Sequence, residues 1–380
     1  MRFEDYGGQS AARQQFVQLQ AGGRMPHALL VRGPEGAAPL GFVQAALQRL
    51  ACQQPTATDS CGQCSSCRQA AAIQHPDHIW LFPYFSQVKD GRPATTEDFR
   101  AAFQQAAAGT VDFSPADWAA ALEAENKQLA IPVHEIRMLR RSLSLARGGQ
   151  GYRCVVIWQA ELLRPEAANA LLKVLEEPPD RTLFFLVVEG EGMLLPTIVS
   201  RCQQLRLARW SVDELVALLP RLLEVPEAHA RELAQIADGS LFRATSIGRQ
   251  SDATLHETFA QWMRRCHTAN LTELILWTQE TSRQPKEYHK LLLTYGLGRI
   301  RDALLFVCAT PQLAAVAGTQ REFVRKFAAT QTPESLEQVA QALEDLLVEI
   351  GQNANTQAAF FNASQRLMRA FQQARQALHA

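Results

Sequence analysis

The first half of the sequence alternates short apolar runs with longer helical patterns, and this alternation restricts the fold more than any other feature. Short runs rich in β-branched and aromatic residues predict strands, and apolar residues three or four positions apart predict helices. Alternation of this kind is typical of an α/β domain, in which helices cover a parallel sheet. The predicted strands are 28–32, 78–82, 153–157, 183–188 and 204–207, and the predicted helices include 11–19, 42–50, 132–145 and 166–175.

The sequence after residue 209 has helical periodicity and few strand signals. Ser211 and Glu214 have the spacing of a capping box at a helix start. Further on, Thr332 and Pro333 stand in cap and first-turn positions before a long predicted helix that ends at Gly351. Its apolar stripe consists of Leu336, Val339, Leu343, Leu346 and Ile350, and a second stripe consists of Phe360, Ala363, Leu367, Phe371, Ala374 and Leu378.

These patterns predict an α/β domain at 1–208 followed by a helical remainder, and the C-terminal third of the chain is expected to be a helical bundle. The segment 86–127 does not follow the alternation, so we expect a partly helical insertion there. Its aromatic residues are expected to pack locally, and they include Phe99, Phe103, Phe113 and Trp118.

The composition excludes several classes of protein. Hydrophobic residues make up 47% and charged residues 20%, which argues against global disorder. Lysine plus arginine and aspartate plus glutamate number 38 each, so no bulk positive field attracts nucleic acid. The chain starts without an apolar signal core, and no apolar run reaches the ~18 residues of a membrane span. We therefore expect a cytoplasmic protein that does not bind membranes.

A glycine-containing loop follows the first predicted strand, where a strand–loop–helix unit would hold phosphate. The loop starts with Gly33 and contains Gly36. A working phosphate loop ends in glycine, lysine and a hydroxyl residue: the lysine neutralises phosphate charge and the hydroxyl binds Mg²⁺. Here Ala38, Pro39 and Leu40 occupy those positions, and proline also lacks a backbone donor. The degenerate loop predicts that the chain binds no ATP.

The acidic motif of such nucleotide-binding domains is also missing. Nucleotide hydrolysis needs one acid for Mg²⁺ and one to activate water after an apolar strand. Trp158 and Gln159 follow the predicted strand at 153–157, and neither performs these tasks. Glu161 stands two residues out of register and is expected to be a solvated acid at a helix start. Two independent losses make an active ATPase a poor explanation of the sequence.

Four of the eight cysteines lie within 16 residues, at positions 52, 61, 64 and 67. Cys61, Cys64 and Cys67 form two Cys-x2-Cys steps that share Cys64, and Cys52 adds a fourth thiolate. Such spacing suits tetrahedral Zn²⁺ with four sulfur ligands and no open position for catalysis. In a reducing compartment disulfides explain such a cluster poorly. Unligated or redox cysteines are the weaker alternative, and an iron–sulfur cluster would require a different spacing. The cluster predicts a structural zinc site.

The string from Ala168 to Pro179 reads Ala-Asn-Ala-Leu-Leu-Lys-Val-Leu-Glu-Glu-Pro-Pro, and a Ser-Arg-Cys tripeptide follows at 200–202. Together with Thr-Leu-Phe-Phe-Leu at 182–186 and the four cysteines, this series resembles bacterial clamp-loader subunits of the DNA polymerase III gamma/tau and delta-prime types. The resemblance covers about residues 1–250. Gamma/tau subunits keep the ATP-binding residues that this chain lacks, so the sequence is most similar to the delta-prime type.

The resemblance implies an AAA+ domain with a zinc module, an all-α lid at 209–250 and an all-α collar at 251–380. It implies that Arg201, with Ser200 and Cys202, serves as a trans arginine finger for ATP on a neighbouring subunit. The implied partners are gamma/tau-type motor subunits, a delta-type subunit and, through the complex, the sliding clamp and primed DNA.

Two alternatives remain open from the sequence. One is a divergent motor subunit that still hydrolyses ATP, and the other is a zinc-dependent nucleic-acid-binding protein. The zero net charge and the lack of a lysine or arginine cluster around 52–67 speak against the second.

Overall fold

The computed structural model describes the chain except for residues 24, 90, 125–126, 145–150, 191–193, 250–251, 285, 312–313, 315, 317, 353 and 380. The backbone divides into two compact units. The first comprises Met1–Glu214 and Gly239–Phe242, and the second comprises Leu215–Asp238 and Arg243–Ala380. The predicted separation of a lid at 209–250 from a collar at 251–380 stays a prediction.

The first unit is built on a five-stranded parallel sheet with the strand order β2-β7-β8-β1-β9. All five predicted strands are present, and each end lies within one residue of the prediction. Small antiparallel pairs, β3 with β6 and β4 with β5, accompany the sheet. The strands are β1 (Ala28–Gly33), β2 (His78–Leu81), β3 (Tyr84–Phe85), β4 (Val88–Lys89), β5 (Arg92–Pro93), β6 (Leu129–Ala130), β7 (Arg153–Trp158), β8 (Thr182–Glu189) and β9 (Gln203–Arg206).

The central strands are apolar over most of their length because helices cover both faces of a parallel sheet. In β8 every residue except the last, Glu189, is buried. Leu30, Val155 and Phe184 from three neighbouring strands belong to one core with Leu171 of the covering helix. The α/β class predicted for the first domain is therefore confirmed.

The helices of the first unit agree with the predicted positions, with shifts at their ends. The helix after β1 begins at Pro39, three residues earlier than predicted, because the first turn of a helix tolerates a residue without a backbone N–H. The helix predicted to begin at Pro132 uses that residue as its N-cap, and Leu145 at its predicted end lies outside the described residues. The helices are α1 (Phe3–Tyr6), α2 (Ser10–Ala21), α3 (Pro39–Ala51), α4 (Ser65–Ala71), α5 (Thr96–Ala107), α6 (Pro115–Ala121), α7 (Val133–Leu143), α8 (Pro165–Glu176) and α9 (Pro196–Val199).

The segment 86–127 contains the β4–β5 hairpin and helices α5 and α6, so the prediction of a partly helical insertion is confirmed. Its four aromatic side chains, Phe99, Phe103, Phe113 and Trp118, are buried, as expected for local packing.

The chain beyond β9 is helical in its described residues, from α10 (Val212–Leu223) to the end. Ser211 and Glu214 form the predicted capping box. Leu378 is 52% exposed, so the second apolar stripe ends at Ala374, one turn earlier than predicted. No helix in the described part of the chain is long and apolar enough to cross a membrane. The helices after α10 are α11 (Glu227–Ile236), α12 (Leu241–Arg249), α13 (Asp252–Thr268), α14 (Leu271–Thr281), α15 (Lys286–Val307), α16 (Gly318–Ala328), α17 (Pro333–Gly351) and α18 (Thr356–His379).

Candidate functional site

The loop between β1 and α3 directs its backbone N–H groups to acceptors within the protein. The Gly36 N–H donates to Oε1 of Glu189 at 2.7 Å, and the Ala37 N–H donates to the Pro34 carbonyl at 3.0 Å. In a working phosphate loop such amides point toward phosphate oxygens. Pro39 and Leu40, at the positions of lysine and hydroxyl, are both buried at the start of α3.

Two further contacts hold the carbonyl groups of this loop. The Tyr6 hydroxyl donates to the Ala37 carbonyl at 2.9 Å, and the Leu241 N–H donates to the Gly36 carbonyl at 3.0 Å. Gly36 has φ +80°, and a Cβ there would collide with the Ser240 side chain. Glycine is therefore required at this position for its conformation and for the close approach of Ser240.

Glu189 lies at the carboxyl end of β8, beside Gly33 at the end of β1 in the parallel register. Burial raises the pKa of Glu189 to about 7, and the Gly36 N–H opposes this rise. Glu161, which we expected to be solvated, is instead half-buried, and its Oε2 atom is shielded from solvent. Burial raises the pKa of Glu161 to about 7, against opposing hydrogen bonds from the backbone N–H groups of Glu161 and Glu189. Both carboxyl groups therefore titrate near neutral pH.

At the position of the acidic motif, Trp158 packs against the insertion. Its indole lies 5.6 Å from the ring of Phe103 and 5.2 Å from the ring of Phe113, measured between ring centroids. Trp158 is the last residue of β7, one residue beyond the predicted strand end, and it is fully buried. Gln159 follows in a left-handed conformation and is also buried. Neither side chain offers a carboxylate for Mg²⁺ or for water activation.

The four clustered cysteines form a compact group of sulfur atoms. The Sγ atoms of Cys52, Cys61, Cys64 and Cys67 all lie within 4.8 Å of one another. Tetrahedral Zn²⁺ with bonds of about 2.3 Å places its sulfurs ~3.8 Å apart, and the Sγ atoms of Cys61 and Cys67 are 3.9 Å apart. The cluster can therefore hold one metal ion.

Backbone donors around the sulfurs match the needs of thiolate ligands. The Cys61 N–H donates to Sγ of Cys52 at 3.2 Å, and the Cys67 N–H donates to Sγ of Cys64 at 3.4 Å. Backbone N–H groups of Cys64 and Gln63 lower the pKa of Cys61 to about 6, whereas burial raises the pKa of Cys67. A bound cation would favour the thiolate form of all four side chains.

The segment that carries the cysteines is attached to the first helix and to α3. The Asp59 carboxylate accepts hydrogen bonds from the N–H groups of Phe3 at 3.1 Å and Glu4 at 2.9 Å. Arg49 donates to the carbonyl groups of Thr56 at 2.9 Å and Asp59 at 2.7 Å. A metal at the cysteines would therefore also restrain α1, whose Tyr6 contacts the loop after β1.

Arg201 lies just beyond the short helix α9, and its side chain is 36% exposed. Its guanidinium donates from Nη1 to the Thr197 carbonyl at 2.9 Å and from Nη2 to Oε1 of Glu176 at 2.6 Å. The Ser200 hydroxyl closes the turn by donating to the Thr197 carbonyl at 3.1 Å. Cys202 packs against the core, and burial raises its pKa to about 11.

The sequence analysis did not single out Glu189 as a site residue, nor Glu176 as a partner of Arg201. For Glu189, the available signal was an acid that ends the otherwise apolar β8, at the sheet edge where the loop begins. For Glu176, no local signal existed, because its contact with Arg201 arises from the packing of α8 beside α9.

Comparisons with known proteins agree with the resemblance seen in the sequence. The family model described as DNA polymerase III, delta subunit, matches residues 8–211. The DNA polymerase III subunit delta' of Pseudomonas aeruginosa is 30% identical over 243 residues, which cover 62% of this chain and 61% of the relative. The delta' subunit of Escherichia coli is 27% identical over 248 residues, which cover 65% of this chain and 62% of that relative. The DNA polymerase III subunit tau of Bacillus subtilis is 24% identical over 251 residues, which cover 65% of this chain and 37% of that relative.

The match thus spans about three fifths of the two delta' relatives. The residues matched by the family model include the loop, the cysteines and Arg201. The family model alone matches more than half of this chain, so the chain belongs to the delta-prime family of DNA polymerase III subunits.

Proposed function

We propose that this chain is a clamp-loader subunit that binds no ATP of its own and presents Arg201 to ATP bound by a neighbouring subunit. The observation that carries the proposal is the loop after β1. Its Gly36 amide is occupied by the chain's own Glu189 carboxylate, and it lacks the lysine and hydroxyl that hold Mg²⁺–ATP. The chain then contributes to nucleotide chemistry only through a residue that reaches another subunit.

Arg201 suits the role of a trans finger. Its guanidinium is permanently charged and partly exposed, and a guanidinium can fork onto two phosphate oxygens. An arginine supplied from a neighbour stabilises charge that develops on the transferred phosphoryl group. Ser200 and Cys202 support the turn that presents it, one through a backbone hydrogen bond and the other through packing.

We propose that the cysteine cluster binds one structural Zn²⁺. The four sulfur atoms, their spacing and the backbone donors around them support zinc as the metal. All four ligand positions are filled by the chain, so the metal would stabilise the segment at 52–67 without taking part in catalysis.

The proposed assembly follows from membership of the family. The chain joins gamma/tau-type motor subunits and a delta-type subunit in a cytoplasmic complex that loads the sliding clamp onto primed DNA. In this proposal residues 1–208 form an AAA+ domain, 209–250 a lid, and 251–380 a collar that joins the subunits.

Reconstitution tests the proposal. Motor and delta-type subunits, sliding clamp and primed DNA are combined with or without this chain, and clamp loading and ATP turnover are measured. We expect loading to require the chain. In parallel, calorimetric titration of the isolated chain with Mg²⁺–ATP should give no binding heat, and micromolar affinity would favour the alternative of a divergent motor subunit.

A zinc-dependent nucleic-acid-binding protein is the second alternative. It predicts tight, salt-dependent DNA binding by the isolated chain, since phosphate contacts release counterions. Weak binding by the chain alone, together with DNA-dependent turnover of the complex, would favour the clamp-loader role.

A further inference from the structure

The guanidinium of Arg201 is held at two points by its own chain. Nη1 donates to the Thr197 carbonyl at 2.9 Å, and Nη2 donates to Oε1 of Glu176 at 2.6 Å. The first contact lies within the turn that carries the arginine. The second joins Arg201 to a residue 25 positions earlier, the last residue of α8.

Stability alone explains the Glu176 contact poorly. The carboxylate is 48% exposed and its partner 36% exposed, and exposed ion pairs add little to the stability of a fold. A carboxylate in the last turn of a helix is also unfavourable, because that end carries partial negative charge. The position therefore suggests a role for Glu176 that depends on Arg201.

The two contacts leave the arginine able to bind phosphate. A guanidinium has five N–H donors, and one contact at each Nη leaves three of them. The Glu176 contact is a single hydrogen bond to one carboxylate oxygen and not a two-point fork, so it restrains the direction of the side chain while using only one of its donors.

We infer that Glu176 is a positioning residue that holds Arg201 ready for the neighbour's ATP, an inference that rests on the proposed trans finger. A free arginine side chain samples many rotamers, and ordering it during the reaction opposes catalysis. Glu176 orders the guanidinium in advance. Its loss therefore slows the chemical step at the neighbouring site and leaves ATP affinity unchanged.

The test compares Glu176→Ala, Glu176→Gln and the matched control Glu177→Ala in the reconstituted complex. Glu177 is the exposed neighbour of Glu176, and its side chain makes no hydrogen bond or ion pair within the described part of the chain. We expect Glu176→Ala to lower kcat for clamp-stimulated ATP turnover at the affected site by about twofold to fivefold, with KM for ATP unchanged. Glu176→Gln keeps an oxygen acceptor and should retain most of the rate, and Glu177→Ala should match wild type.

Two further readouts separate positioning from a structural role. Glu176→Ala should add no loss in an Arg201→Ala background, since it acts only through that arginine. The difference between Glu176→Ala and wild type should shrink as salt is raised, because screening weakens the exposed contact in the wild type.

Wild-type or raised turnover from Glu176→Ala, in a complex whose assembly is verified by gel filtration, would overturn the positioning role. If Arg201→Ala still lowers turnover in that experiment, the finger itself stands. Wild-type turnover from Arg201→Ala would instead remove the proposed finger, and the inference about Glu176 with it.

Discussion

The backbone N–H of Gly36 donates a 2.7 Å hydrogen bond to Oε1 of Glu189, so a carboxylate of the protein occupies a donor of the loop after β1. Gly33, three residues before Gly36, pairs with Glu189 in the parallel register of β1 and β8. The sheet itself thus brings this acid to the loop, and the contact does not depend on a ligand.

Glu189→Gln should change the pH dependence of stability. The pKa of Glu189 is raised to about 7 by burial, from an ordinary value near 4.5. The folded state therefore favours the protonated form of Glu189. The contribution of this group to the stability of the fold is fully present at low pH and is lost as the pH rises through 7. Glutamine keeps the oxygen acceptor for Gly36 and carries no charge. We expect the change in the free energy of unfolding caused by Glu189→Gln to be more favourable at pH 8 than at pH 5 by roughly 1–3 kcal/mol.

Thermal or urea unfolding at the two pH values measures this effect, with the exposed Glu177→Gln as control. An equal effect of Glu189→Gln at both pH values would contradict the raised pKa.

Gly36→Ala should destabilise the first unit through two separate effects. A side chain at φ +80° adopts a strained backbone, and its Cβ meets Ser240. Gly91 has φ +73° and no atom within 4 Å of the place a Cβ would take, so Gly91→Ala suffers the backbone effect alone. We expect the strained backbone to lower the free energy of unfolding by roughly 1 kcal/mol in both variants. The collision with Ser240 should lower it by a further ~1–3 kcal/mol in Gly36→Ala alone. Urea denaturation of both variants measures these losses, and their difference is the contribution of the collision. Equal losses of stability in the two variants would show that Ser240 moves away freely.

Cys61→Ser should remove the bound metal and destabilise the segment at 52–67. Sulfur ligation couples metal binding to folding, so losing one of four ligands should weaken zinc binding by more than the roughly 10–100-fold typical of a supporting residue. Metal analysis of protein purified without chelators should give one zinc per wild-type chain. Cys308→Ser serves as the control, because Cys308 is exposed and lies outside the cluster. A wild-type chain without zinc, or a Cys61→Ser chain that retains it at full occupancy, would rule out the site.

Arg201→Ala should leave folding and assembly intact while lowering ATP turnover by the complex. Removing an exposed side chain changes stability by about 0.5 kcal/mol or less, whereas loss of a trans finger slows phosphoryl transfer by roughly 10³–10⁵-fold at the site it serves. In the proposed role Arg201 serves a single neighbouring site, so we expect total turnover of the complex to fall only in part. Lysine at this position should rescue poorly, since it cannot fork onto two oxygens. Steady-state turnover and clamp loading measure the effect, and unchanged rates from an assembled complex would leave the chain as a scaffold only.

Local patterns in the sequence predicted the sheet because its central strands are largely apolar runs that the fold buries on both faces. The same local patterns identified the missing lysine, hydroxyl and acids, since these losses are visible residue by residue. The cysteine cluster was equally accessible, because its four cysteines lie close together in the chain, and the structure brings their sulfur atoms within 4.8 Å of one another.

Contacts between distant residues depended on the tertiary structure. Gly36 and Glu189 lie 153 positions apart and meet only because β1 and β8 are neighbours in a parallel sheet. Glu161 was expected to be solvated, yet the packing there shields its Oε2 atom from solvent, and this burial raises its pKa to about 7. Likewise, only the packing of α8 beside α9 places Glu176 against Arg201. The sequence by itself determined the secondary-structure elements and which residue types stand in the loop after β1 and at the end of β7, because these can be read residue by residue. The tertiary structure decided which carboxylates meet the loop and the arginine, because burial and pairing depend on neighbours that the order of residues does not reveal.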